Sequence, residues 1–383
     1  MKGSLKWHVG LMAIACVAVL ASSSALTLES TAAQGTGGNV YLPYLITAAY
    51  PFWQAYDYPP EAIPLGSVHE ISHSFILPGQ NGSLDVPTDF LMPELIARVH
   101  AANRKVTLGV GGAGSDDEFA PMVANPTYRA TFVQNLTDFV IQQGYDGVVI
   151  DWEFPQTPAQ RENLNALMAE LRASLNATGR DLRLTIAVPS SNGLGQWFDA
   201  DAITPLVDYY TVMTFNYHGG WSDQSGHNAP LYPPPPEVDG YGSVDDSIRY
   251  WSEERGVPRS KILMGLAFFG NSFDSEDLYQ SFSSYSQADY SDIQPLIGNG
   301  YTRRWDSRSR VPYLAQDSGP WLWSYDDPLS IRLKCDYVIE NDLAGVAIWD
   351  ITMDLIQDRQ ELLEEVADKL SVKNVYLPMI LRR

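Results

Sequence analysis

The stretch YDGVVIDWEF, Tyr145 to Phe154, runs Val148, Val149 and Ile150 together like a buried strand and then places Asp151 and Glu153 two residues apart. Side chains alternate along a strand. Gly147, Val149, Asp151 and Glu153 therefore share one face, and Asp146, Val148, Ile150 and Trp152 share the other. A carboxyl held against apolar neighbours and close to a second carboxyl favours its protonated form, which is what a general acid needs near neutral pH. One of the pair can hold the proton while its neighbour stays charged. The competing reading is a structural ion pair with Arg or Lys from a neighbouring strand, but no other candidate strand ends in a cation.

Such a pair needs a scaffold that brings strand ends together. Eight short apolar runs recur along the chain: ITAAYPFW, HEISHSFIL, KVTLGVGG, YDGVVIDWEF, LRLTIAVPS, YYTVMTFNY, KILMGLAFFG and LAGVAIWDI. Longer amphipathic segments separate them. In TYRATFVQNLTDFVIQQG, Phe132, Leu136, Phe139 and Val140 fall on one helical face and Gly144 supplies a stop. In TPAQRENLNALMAELRASL, leucines at 164, 167, 171 and 175 repeat at helical spacing. SVDDSIRYWSEERG opens on Ser243 as an N-cap, with Asp245 and Asp246 in its first turn and Gly256 as its stop. Alternating strands and helices in this number predict an α/β fold, a closed (β/α)8 TIM barrel, with carboxylates on an inward face at its C-terminal mouth. The span from Asp274 to Asp342 is too long for a loop and reads as a small insertion between strands seven and eight that walls one side of the site; a separate domain is the alternative.

Lys2 and Lys6, an apolar run VGLMAIACVAVLA and the small residues SSSA have the form of a secretory signal, with cleavage expected near Ala25. The run is shorter than the roughly 20 residues that span a bilayer, although an uncleaved anchor stays open. Residues 26–38 then form a linker, 39–370 the barrel and 371–383 a tail. NVYLP occurs at 39–43 and again at 374–378; the copies could pair or close the barrel bottom, the second could be a surface-sorting tail, or the repeat could be coincidence. With the signal removed, Cys335 is the sole cysteine and reads as a core residue. A net charge of −21, spread along the chain, opposes nucleic acid and anionic membrane and suits a soluble monomer acting on a neutral or cationic polymer. No His/Cys/Asp grouping has metal-ligand spacing, GVGGAG lacks the context of a dinucleotide site, and no cofactor is expected.

DGVVIDWE resembles the strand-four signature Asp-Gly-x-Asp-x-Asp-x-Glu of glycoside hydrolase family 18, the chitinase-type barrels. LGVGG, which contains Gly111 and Gly112, resembles its Ser-x-Gly-Gly motif on strand three, and VMTFNYHG its Met-x-Tyr-Asp motif on strand six, with Met213 in the methionine position. GHNAPLY, KILMGLAFFGNSF and GVAIWDITMD continue the likeness in order over residues 46–355. The resemblance implies a secreted glycosidase of the EC 3.2.1 class. Its substrate would be a β-1,4-linked N-acetylglucosamine polysaccharide such as chitin, whose own 2-acetamido carbonyl attacks the anomeric carbon with retention. Glu153 matches the general acid/base, Asp151 the residue that orients the acetamido group, Trp349 the stacking floor, and Asp146 and Gly147 the structural start of the motif.

The departures are as informative. Val149 replaces the middle aspartate, Phe215 the tyrosine that holds the acetamido carbonyl, Asn216 its neighbouring aspartate, Gly109 a serine and Phe269 a strand-seven tyrosine. A slow or altered enzyme follows from losing such groups, because one transition-state donor is worth on the order of 10²-fold or more in rate. Tyr217, Trp221 and His227, together with Tyr50 and Trp53 at the end of strand one, could line sugar subsites or simply pack; His73 reads as a core group. Two alternatives remain: an endo-N-acetylglucosaminidase acting on N-glycans or peptidoglycan, and a non-hydrolytic chitin- or glycan-binding barrel.

Overall fold

The computed structural model describes residues 44–235 and 242–370. The signal segment, the linker, both NVYLP copies and the tail lie outside the described residues. All eight expected strands form: β1 (Leu45–Pro51), β2 (Glu70–Pro78), β3 (Lys105–Ala113), β4 (Gly147–Glu153), β5 (Arg183–Val188), β6 (Tyr209–Val212), β7 (Ile262–Ala267) and β8 (Gly345–Trp349). Each pairs in parallel with the next, and β8 returns to β1, with Leu45 opposite Gly345 and Ala48 opposite Ile348, so the barrel closes.

The outward faces of the strands are covered by helices, as the sequence periods require. The helix Pro126–Gln143 starts where the Asn125 side chain accepts from the backbone N–H groups of Thr127 and Tyr128, with Pro126 pre-set for the first turn, and it ends on Gly144 at φ 87°. Thr157 caps the helix Pro158–Ala177 in the same way, and its leucines at 164, 167, 171 and 175 are all buried. Each such side chain contributes roughly 1.5–3 kcal/mol by leaving water. On β4, Trp152 points outward, stacks on Phe119 at 5.4 Å and donates its indole N–H to Asp116 at 2.8 Å. Ser243 caps as expected, but the segment it opens is an α-helix only over Val244–Arg249 and a π-helical turn over Tyr250–Glu254.

The insertion is a five-stranded antiparallel sheet in the order Tyr285–Asp289, Phe269–Asp274, Trp321–Ser324, Val311–Gln316, Tyr301–Asp306. It begins at Phe269, directly after β7 rather than at Asp274, so the residues read as the end of a barrel strand already belong to the wall. The helix Pro328–Glu340 follows, held by a capping box between Asp327 and Ser330, and buries Cys335 against the barrel.

Candidate active site

A cavity of about 810 Å³ opens at the C-terminal ends of the strands, and β4 supplies its chemistry: Val149, Asp151 and Glu153 all line it. The inward face deduced from alternation is therefore the one observed. The geometry behind it depends on β3, where Gly111 stands opposite Asp151. Gly111 has φ 117°, and a Cβ there would collide with the Asp151 backbone carbonyl, so only glycine lets the strands approach. Gly112, at φ 94°, makes room for the Phe75 ring. From the other side Ser115 ties the pair down. Its hydroxyl donates to the Asp151 carbonyl at 3.2 Å and accepts from the Glu153 N–H at 3.2 Å.

Burial sets the protonation of the pair. Asp151 is 8% exposed; desolvation first, and the charge of Glu153 second, push its carboxyl well above the ordinary aspartate range. Burial raises Glu153 to about 7. Burial therefore favours the protonated form of both carboxyls relative to ordinary side chains of their kind. One Asp151 oxygen, Oδ1, is buried without a protein hydrogen bond among the described residues.

Asp146 does different work at the far end of β4. Its Oδ2 accepts from the Val106 N–H at 2.9 Å and contacts His100 Nε2 at 2.8 Å, pinning β3 to β4. Gly147 sits against Arg183 of β5, whose backbone leaves no space for a side chain.

The aromatic wall forms around Trp349, which stacks on Phe75 at 5.6 Å and 17°, both rings facing the cavity. Met213, Phe215, Asn216, Tyr217 and Trp221 line it as well. Phe215 meets Phe269 edge-on at 5.7 Å, so the two phenylalanines read as replacing tyrosines make one apolar corner. Tyr217 does not supply it with a hydroxyl: its OH is spent on the Ser243 carbonyl at 2.7 Å and the Ser247 hydroxyl at 2.5 Å. Asn216 adopts φ 59°, a left-handed conformation asparagine tolerates, and its side chain accepts from Asn271 of the insertion sheet at 3.2 Å. Asn271 in turn accepts from Gln287, another cavity residue, at 3.1 Å.

Three candidates lie elsewhere. Tyr50 is fully buried with its hydroxyl on the Tyr58 carbonyl at 2.7 Å, and it packs the core instead of lining the cavity. Trp53 is exposed beside Phe52, outside the cavity lining. His227 is buried between Asp306 at 3.1 Å and Ser324 at 3.2 Å, where it joins the loop after β6 to the insertion. His73 is a core group as read: it stacks on Phe90 at 4.2 Å, and burial lowers it to about 3.

Phe75 escaped the sequence reading. Simple alternation along β2 sends it outward with His73, but the register between β2 and β3 shifts between His73 and Ile76 and turns the ring into the cavity. Ser115 and Gln287 were equally hidden, because each reaches the site from outside the barrel strands.

A closed parallel barrel with a buried carboxylate pair and an aromatic wall at its C-terminal mouth is the layout of the (β/α)8 barrels whose sites are built on strand ends. The chain belongs to glycosyl hydrolases family 18, whose model matches residues 47–354. It is 30% identical over 299 residues to a probable endochitinase of Caenorhabditis elegans, covering 70% of this chain and 48% of that protein. Chitinase A1 of Niallia circulans is 28% identical over 285 residues, covering 66% and 41%. The chain thus spans about half the length of these relatives. Among solved structures, catalytic domain 2 of the Ostrinia furnacalis Group II chitinase superposes with a TM-score of 0.79 at 24% identity, over 85% of this chain and 96% of that one. A family 18 N-acetylglucosaminidase from Paenibacillus barengoltzii gives 0.77 at 25% identity, over 85% and 99%.

Proposed function

We propose that the protein is a retaining glycosidase that cleaves β-1,4-linked N-acetylglucosamine polymers with help from the substrate. The observation that carries this is the pair itself: two buried carboxyls at a barrel mouth, both raised above their ordinary ranges and faced by Trp349 and Phe75. In this reading the sugar stacks on Trp349, and Glu153 gives its proton to the glycosidic oxygen as the bond to the anomeric carbon breaks. The acetamido carbonyl oxygen bonds to that carbon from the opposite face, forming an oxazolinium ion whose N–H and positive charge are held by Asp151. The Glu153 carboxylate then takes a proton from water as its oxygen attacks the anomeric carbon and opens the ring. Two inversions leave the β configuration.

The test is hydrolysis of N-acetylglucosamine oligomers followed by proton NMR. The first product should be the β-anomer, and initial release of the α-anomer would refute the mechanism. Parallel assays on chitin, an N-glycoprotein and peptidoglycan distinguish the glycans. Val149 and the Phe215–Phe269 corner favour a second reading, a glycan-binding barrel without turnover, which any sustained release of product excludes. The N-terminal segment supports export; N-terminal sequencing of secreted protein should place the new end near Ala25.

A further inference from the structure

The insertion brings polar groups of its own to the cavity, and their hydrogen bonds fix which way each one faces. Asn271, on the insertion strand Phe269–Asp274, is fully buried, and its Nδ2 donates to the His218 backbone carbonyl at 2.8 Å. A carbonyl only accepts, so the two ends of the Asn271 carboxamide are set, with Nδ2 on His218 and Oδ1 as the acceptor end. Nδ2 also reaches the Asn216 side chain at 3.2 Å, and Asn216 therefore turns its Oδ1 toward it. The Asn271 Oδ1 accepts from the Tyr285 hydroxyl and from Gln287, each at 3.1 Å, so Gln287 turns its Nε2 inward. Gln287 is the register partner of Asn271 on the neighbouring strand, which holds the two amides side by side.

The groups left over are complementary. Asn216 and Gln287 both line the cavity, and the Asn216 Nδ2 and Gln287 Oε1 have no protein partner among the described residues. One buried carboxamide thus fixes a free donor on one side and a free acceptor on the other. A secondary amide offers the matching pair, a C=O and an N–H. Trp221 joins the same cluster through Tyr285, whose ring lies 6.2 Å from its own; it lines the cavity, is 63% exposed and presents an apolar face to a sugar ring. In the reading above the acetamido group of the reacting sugar is held by Asp151, so a second acetamido group is the one this pair fits.

We propose that Asn216 and Gln287 determine specificity by recognising the acetamido group of a sugar neighbouring the one that reacts: the Asn216 Nδ2 donates to its carbonyl and the Gln287 Oε1 accepts from its N–H. This rests on the glycosidase reading above. The reacting sugar must be acetylated because its acetamido group is the nucleophile. The Asn216–Gln287 pair extends that requirement to a neighbour and makes the protein selective for runs of acetylated units over partly deacetylated ones. A glucosamine unit at that position carries an ammonium group, which has donors but no acceptor and leaves the Asn216 Nδ2 unsatisfied.

The test uses N-acetylglucosamine tetramers that carry a single glucosamine at each position in turn, with the cleaved bond identified by mass spectrometry. Apart from the reacting position, the parent should discriminate against glucosamine at one neighbouring position by roughly 10-fold in kcat/KM, the scale of two lost hydrogen bonds. Gln287→Met keeps the length of an exposed side chain and removes both of its hydrogen-bonding groups. It should lower kcat/KM on the fully acetylated tetramer by roughly 10-fold and leave the tetramer with glucosamine at that position within about twofold of the parent, so that the discrimination collapses. Asn216→Gly, which accepts the left-handed backbone at φ 59°, should lose the discrimination as well. The proposal is overturned if the parent cleaves these tetramers alike, if either variant keeps the parent's discrimination, or if Gln287→Met slows both substrates equally. A parent with no turnover on any oligomer overturns the glycosidase reading and this inference together, whereas an active parent without the discrimination overturns this inference alone.

Discussion

Replacing Glu153 by glutamine should abolish turnover and at the same time stabilise the protein above neutral pH. The carboxyl keeps its proton up to about 7 in the fold because burial penalises the charge, whereas an ordinary glutamate releases it near 4.5. Between those values the native state binds more protons than the unfolded chain, so the parent loses stability as pH rises through the window. Glutamine fills the same space and never ionises. The variant should match the parent below about pH 4.5 and gain on it up to pH 7, where the difference levels off. At 1.36 kcal/mol per pH unit the gain reaches about 3 kcal/mol, or a melting temperature higher by roughly 5 °C. Loss of the Glu153 charge also relieves Asp151, which acts in the same direction. Urea denaturation at pH 4, 6 and 8, run on both proteins beside an oligomer-hydrolysis assay, measures both effects. Equal stability at pH 8, or a variant that still turns over at the parent rate, would refute the reasoning.

The same proton gives kcat/KM a falling limb centred near pH 7, because the free enzyme must carry it on Glu153; a pH–rate profile still rising at pH 8 contradicts that role. Phe215→Tyr should raise kcat by roughly 10-fold or more by returning a hydroxyl to the apolar corner beside Phe269, and an unchanged rate would place that corner away from the reacting sugar. Trp349→Ala removes the ring stacked on Phe75 and should lower kcat/KM by about 10- to 100-fold on long oligomers, with circular dichroism confirming an intact fold. Glu70→Ala leaves the Arg183 guanidinium without its buried partner at the barrel base and should cost about 3 kcal/mol in urea denaturation.

Local patterns carried the barrel. Apolar runs of strand length, helical repeats such as Leu164 to Leu175 and stops such as Gly144 are decided by neighbours a few residues apart, and each appears where its residues place it. The inward face of β4 was legible for the same reason, since alternation along a strand is a property of the chain itself.

What surrounds that face depended on contacts between distant segments. A register shift in β2 brought Phe75 against Trp349, 274 residues further along the chain. Tyr217 spends its hydroxyl on Ser243 and Ser247, His227 closes onto Asp306 and Ser324, and Tyr50 sinks to the Tyr58 carbonyl. Packing therefore decides which of several similar aromatic and polar side chains faces the cavity. The rest of the cavity is of the same kind: Thr47, Ser72, Thr185 and Thr211 lie on four strands, and only closure of the barrel gathers them into one lining.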